Sequence, residues 1–280
     1  VRYGPHIVLQ AAAKCGSRTL RSRLAPELPQ RHAQTHAGLW AGEALPPALR
    51  RLTSIRDPLS WHLSHFQHWW RAWHGGMDRV VCWLAPAGRE LVAGLLATFA
   101  TPEEAEMACP GIRATVWGLY VEGVTDARVA RLPLDQRPDA LAHPQHRWDV
   151  PIRRWMAERG VGLFTWATVR QLMPAPWWDT VSLTPAAIRV GRDTGVPVRT
   201  LYDAAINVHH LDEGLAEVAE AWGLGVADLP ERKRGDVADG ELSPTPEQIE
   251  RIRHAERAVY AWFPWDEDVP PVVWGHRVRR

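Results

Sequence analysis

The chain has 280 residues, 46% of them hydrophobic, with a formal net charge of +1. That size allows one large α/β domain, or one domain with a helical extension, around a sizeable core. The balanced charge argues against a general nucleic-acid binder, and no apolar run reaches the eighteen residues of a membrane span.

The first apolar run starts at Ile7 and is too short for a signal peptide. Cys15, Cys82 and Cys109 are too widely spaced for a disulfide framework or a zinc site, so a reducing cytoplasm is the expected compartment. No metal is expected. His62, His65 and His68 repeat at helical spacing but have no carboxylate or cysteine beside them in sequence.

In chain order, Ile7-Val8-Leu9 reads as a short buried strand. A small-residue loop, Ala11 to Gly16, leads into a helix that starts near Ser17 or Arg18 and ends before Pro26. Leu52 to Ile55 reads as a second strand, ending at Arg56-Asp57-Pro58. Pro58 suits the first turn of a helix, which runs to about Trp73 and stops at Gly75-Gly76. Leu91 to Phe99, Thr101 to Met107 and Trp148 to Glu158 carry helical patterns, and Pro133 to Pro144 is a proline-rich loop. Ala205 to Val208 reads as a late strand. The helix after it carries Leu215, Val218, Ala219 and Trp222 on one face and closes at Gly223. A polar loop over 226–244 precedes a last long helix. That helix opens with a Thr245-Pro246-x-Gln248 capping box and carries Ile249, Ile252, Val259 and Phe263 on its apolar face. The tail 266–280 reads as irregular, and one domain is expected over 1–280.

Sixteen tryptophans are present, and Trp61, Trp69, Trp70 and Trp73 crowd into one stretch with Phe66. Such a cluster reads first as core, because each indole buries a large apolar area. The alternative is a platform on which a sugar ring stacks.

Of the 33 basic residues only Lys14 and Lys233 are lysines. A lysine is a compact, movable charge that can follow a phosphate or sulfate oxygen, whereas arginine demands a flat, forked partner. Lys14 lies between the first strand and the first helix. Strand, glycine loop and helix is an arrangement that cradles an anion, because the first N–H groups of a helix lack partners within it. The loop lacks the Walker order, since its lysine comes two residues before Gly16, which argues against an ATP or GTP hydrolase.

The order Lys14-Cys15-Gly16-Ser17-Arg18-Thr19-Leu20 after a first strand resembles the 5′-phosphosulfate loop of sulfotransferases that use 3′-phosphoadenosine 5′-phosphosulfate (PAPS). Residues 52–69 resemble the same family's 3′-phosphate segment, with Arg56 at a strand end and Ser64 eight residues on. Arg56 can grip a phosphate with two donors, and Ser64 lies about two helical turns further along one face. Arg232-Lys233-Arg234-Gly235 resembles the basic late loop that covers the nucleotide. Gly160 to Trp166 is similar to a segment of bacterial and phage-type members. Val208 to Val218 is similar to the family's late strand and helix, with His209 or His210 where an acidic residue is usual.

The resemblance implies a three-layer, P-loop-like α/β domain with a short central parallel sheet and added helices. It implies PAPS as donor and an acceptor hydroxyl, most often on a carbohydrate or small molecule. Lys14 and the loop N–H groups would neutralise the phosphosulfate. The family places a histidine or glutamate base between the two motifs, where His32, His36 and Glu43 stand. His36, 20 residues before Arg56, is the first choice and Glu43 the substitute. Two other readings are a nucleotide- or glycan-binding relative without turnover, and a kinase-like phosphotransferase.

Overall fold

Three short apolar segments, far apart in sequence, form the parallel centre of a sheet. The computed structural model describes residues 2–3, 7–11, 14–27, 49–126, 128–129, 146–172, 202–227, 242–263 and 269–275. Strands β2 (Ile7–Ala11), β3 (Arg50–Ile55) and β4 (Ala204–Asn207) run parallel, with Leu9 beside Leu52 and Leu52 beside Ala204. β1 (Arg2–Tyr3) and β5 (Val272–Trp274) close the edges antiparallel, giving the order β1-β2-β3-β4-β5. Ile7 to Gln10 and all of β4 are buried, as strands covered on both faces must be, and such strands read as continuous apolar runs.

The helices are α1 (Ser17–Arg23), α2 (Pro58–Arg71), α3 (His74–Val81), α4 (Pro86–Thr98), α5 (Pro102–Ala108), α6 (Ile112–Thr125), α7 (His146–Arg159), α8 (Leu163–Leu172), α9 (Leu211–Trp222), α10 (Pro246–Ala255) and α11 (Arg257–Trp262). The chain is thus an α/β protein with a mixed sheet. The three central strands are parallel, as expected, and the antiparallel edge strands make the sheet mixed. β5 also corrects the expectation of an irregular tail: Val272 and Val273 are buried, but three residues behind Pro270-Pro271 are too few to show a period.

The chain divides into two compact units. The first comprises Val1–Asp57, Ala167–Glu241 and Ala258–Arg280, and holds the sheet. One face of the sheet, from Ile7, Leu9, Leu52, Ala204, Ile206 and Val272, packs on Leu20 and Leu24 at α1 and on Leu215 and Val218 of α9. The expected apolar stripe of α9 is therefore the stripe that buries it. Its end is Gly223 at φ 64, with the Leu224 N–H returning to the Ala219 carbonyl oxygen at 2.9 Å. Arg23 in the last turn of α1 approaches Asp212 at 3.8 Å, where the cation also favours the helix C-terminus.

The second unit, Pro58–Trp166 and Leu242–Arg257, is helical among its described residues. Its core is aromatic. Phe66 meets Trp117 edge-on at 5.4 Å and Tyr120 at 5.5 Å, while Trp70 meets Trp73 edge-on at 5.2 Å. The indole N–H groups are satisfied as the rings are buried: Trp70 donates to Glu106, Trp73 to the Phe99 carbonyl and Trp117 to Gln248. α6 escapes sequence reading because Arg113 and Glu122 are its only charged residues, which leaves too little of a polar face to reveal its period.

Gly75-Gly76 does not stop α2. α2 ends at Arg71, Trp73 turns the chain at φ 38, and both glycines lie inside α3. A Cβ on Gly76 would stand 2.2 Å from the Trp69 carbonyl oxygen, so the glycine serves close packing of α3 against the end of α2. The last helix opens with the expected capping box but is broken at Glu256 into α10 and α11. The break goes with a carboxylate drawn into the interior, described below.

Candidate phosphate-binding site

The loop between β2 and α1 is shaped by its backbone. Lys14 at φ 63 and Gly16 at φ 67 both take left-handed conformations. For Lys14 that conformation costs roughly 1–2 kcal/mol, which the surrounding contacts must offset. Gly16 meets the same requirement without cost, and a Cβ there would stand 2.8 Å from Val208 Cγ2, just past the end of β4. The loop therefore rests on the carboxyl end of a second parallel strand.

β3 holds the loop from the other side. The Arg56 guanidinium donates through Nη1 to the Lys14 carbonyl oxygen at 3.0 Å, and the Ser54 hydroxyl donates to the Cys15 carbonyl oxygen. Ser54 and Arg56 are two residues apart, so strand alternation sends both side chains the same way. A trans peptide sets its C=O and N–H on opposite sides. With two successive carbonyls turned to β3, the N–H groups of Cys15 and Gly16 face away from it together. Successive N–H groups directed one way form an anion-seeking concavity, and Gly16 has no side chain to cap the first turn of α1 behind them.

The electrostatics are those of a half-buried cation. Burial lowers the Arg56 guanidinium below its usual value, while the neighbouring Cys15 and Asp57 act to raise it. Asp57 itself accepts a hydrogen bond from the Tyr260 hydroxyl at 3.1 Å. The Cys15 thiol is pushed up to about 12 by burial, with Arg56 pulling it down. A neutral, buried thiol is no nucleophile, so Cys15 can serve an anion only through its backbone.

The structure thus brings Lys14, Cys15, Gly16 and Arg56 together. Ser17 is buried and Thr19 half-buried in the first turn of α1, while the side chain of Arg18 lies outside the described residues. Ser64 is half-buried on α2, in the second unit. His32, His36, Glu43, Arg232, Lys233 and Arg234 lie outside the described residues. His209 and His210 are exposed at the carboxyl end of β4, where the Asn207 side chain accepts from the His209 N–H and His210 Nδ1 lies 3.2 Å from Glu213. Ser54 was missed, although its place two residues before Arg56 was a signal for it.

Two other sequence readings change. The sugar-platform alternative fails, because Trp61, Trp69, Trp70 and Trp73 are all buried. Moreover, His62 does have carboxylate company. Its Nε2 lies 2.7 Å from Glu256 Oε1, with both side chains fully buried and 194 residues apart in sequence. Nothing local could have signalled that pairing.

Among the described residues no group of three or more metal-ligating side chains gathers, and no helix is long and apolar enough to cross a membrane. No protein-family model, curated protein or solved structure matches the chain.

Proposed function

We propose that the chain transfers a sulfuryl group from PAPS to an acceptor hydroxyl on a carbohydrate or small molecule, in a reducing compartment. The observation that carries the reading is the bond from Arg56 to the Lys14 carbonyl oxygen. Two motifs that resemble the two nucleotide-binding segments of one family meet at the carboxyl ends of adjacent parallel strands. Ligands of open α/β sheets bind at that edge. The same reading takes β2, the loop and α1 as the P-loop-like unit of a three-layer domain.

The donor set fits a nucleotide that carries two anionic groups. It consists of one ammonium, one guanidinium, the outward N–H groups of Cys15 and Gly16, and the first turn of α1. In this reading Lys14 and these N–H groups hold the 5′-phosphosulfate in the manner of a preorganised anion site. Arg56 and Ser64 hold the 3′-phosphate, and Arg232, Lys233 and Arg234 cover it. When bound, PAPS supplies the sulfuryl group and departs as adenosine 3′,5′-bisphosphate. His36 takes the acceptor's hydroxyl proton, with Glu43 as the substitute base. The scheme calls for no metal.

The test is transfer of labelled sulfate from PAPS to a panel of glycans and small alcohols. The expected outcome is one sulfated product and an equal amount of the bisphosphate. His36→Ala should keep cofactor binding and lose roughly 10²–10⁴ in rate. Absence of transfer to every acceptor, with the bisphosphate still bound, would reduce the reading to nucleotide binding alone.

A further inference from the structure

The second unit contains a chain of titratable side chains independent of the loop at Lys14. Glu256 stands between α10 and α11 and accepts from the Phe164 N–H at 3.0 Å, the Thr165 N–H at 2.6 Å and the Thr165 hydroxyl at 2.7 Å. These donors open α8, so the carboxylate caps that helix from outside it. His62 Nε2 is a further partner at 2.7 Å. On the other side of the ring, His62 Nδ1 lies 3.2 Å from the Tyr120 hydroxyl, and the same hydroxyl lies 3.2 Å from His65 Nδ1. His62, Tyr120 and Glu256 are wholly buried, while His65 is half-buried.

Counting protons leaves few arrangements. Tyr120 has one O–H, and burial, with Glu256 adding to it, holds its phenol well above the usual value, so the proton stays on. A buried hydroxyl between two ring nitrogens must donate to one and accept from the other. In one state Tyr120 donates to His62 Nδ1, so His62 is neutral and carries its proton on Nε2, facing Glu256. His65 must then carry its proton on Nδ1. In the other state Tyr120 donates to His65 Nδ1, and His62 Nδ1–H donates to Tyr120. His62 is then an imidazolium against Glu256, and His65 carries its proton on Nε2.

We infer that His65, Tyr120, His62 and Glu256 form a proton relay in which the charge of buried His62 is coupled to the tautomer of His65. The two states differ by one proton. It arrives at His65 Nε2, the His65 Nδ1 proton passes to the Tyr120 oxygen, and the Tyr120 proton passes to His62 Nδ1. No side chain has to move. The described groups around His62 agree with this economy. α2 contributes His65, α6 contributes Tyr120, and α8 contributes only neutral donors. Next to Glu256, Arg257 donates to the Gly160 and His254 carbonyl oxygens.

The experiment is long-range ¹H–¹⁵N correlation of the histidine rings across the pH range in which the protein stays folded, in the full chain and in Tyr120→Phe. The expected result is one shared midpoint, at which His62 passes from neutral to cationic as His65 moves its proton from Nδ1 to Nε2. If His62 does not titrate in that range, its state must still match: neutral with His65 Nδ1–H, or cationic with His65 Nε2–H. In Tyr120→Phe the two rings should titrate with separate midpoints. Neutral His62 beside a bare His65 Nδ1, cationic His62 beside His65 Nδ1–H, or separate midpoints in the unaltered chain would each overturn the inference. These readings need only the unaltered protein, so misfolding of the variant cannot hide the answer.

Discussion

The Arg56 guanidinium donates to the carbonyl oxygen of Lys14 at 3.0 Å, across 42 residues of sequence. The bond turns the loop carbonyl inward and brings a half-buried cation to the carboxyl end of β3. Arg56→Ala should therefore affect both the loop and its ligand. Loss of a charge-assisted contact predicts affinity for adenosine 3′,5′-bisphosphate weaker by about 1.5–3 kcal/mol, read by calorimetric titration. Arg56→Lys should recover only part, since an ammonium cannot bond a carbonyl and fork onto a phosphate together.

Gly16→Ala should cost more than an ordinary loop substitution. The backbone is left-handed at φ 67, and the added Cβ would press on Val208 Cγ2 at 2.8 Å. Roughly 1–2 kcal/mol of conformational strain is expected before the contact is counted. Denaturant unfolding should show a lower midpoint, and bisphosphate affinity should fall with it. An unchanged midpoint would mean that the loop takes another conformation.

Gly76→Ala tests the revised reading of the glycine pair. Gly76 lies inside α3 without a left-handed φ, so alanine would be tolerated or stabilising there if nothing stood in its way. Its Cβ instead falls 2.2 Å from the Trp69 carbonyl oxygen, so overpacking predicts a loss of about 1–3 kcal/mol in equilibrium unfolding. Gly75→Ala, where the added Cβ meets nothing within 4 Å, is the matched control and should be nearly neutral or stabilising.

Much of the first unit was legible because its signals are local. Ile7-Val8-Leu9, the glycine after Lys14, Arg56 before Pro58, and Gly223 after a striped helix each carry their own warrant within a few residues. The second unit was less legible for a physical reason. α6 carries few charged residues to mark its period, and Glu256 at the break pairs with His62, which is 194 residues distant. The choice of proton acceptor, His36 or Glu43, rests on the resemblance and on histidine's ordinary pKa, and both residues fall outside the described residues.

Cys15 supplies a pH-dependent test of the site's interior. Its thiol is raised from 9.0 to about 12 in the folded protein, chiefly by burial. A raised folded value means that the folded state holds the proton longer than the unfolded chain does. The associated stability is whole below about pH 9 and is lost as pH climbs from there toward 12. The unfolding midpoint should fall over that window, and less steeply in Cys15→Ala. At pH 9 iodoacetamide should alkylate the half-buried Cys109 well before Cys15, and fast labelling of Cys15 in the folded protein would contradict the buried-thiol assignment.

The central claim is that the loop at Lys14 and the Arg56 segment together bind a 3′,5′-phosphorylated adenosine nucleotide. The most direct measurement is the thermal unfolding midpoint with adenosine 3′,5′-bisphosphate in the absence of magnesium, because a ligand that binds only the folded state raises that midpoint with its concentration. The account predicts a concentration-dependent rise with the bisphosphate, sharply reduced in Arg56→Ala. A rise with ATP and magnesium but none with the bisphosphate would contradict it and assign the loop to a kinase-like phosphotransferase.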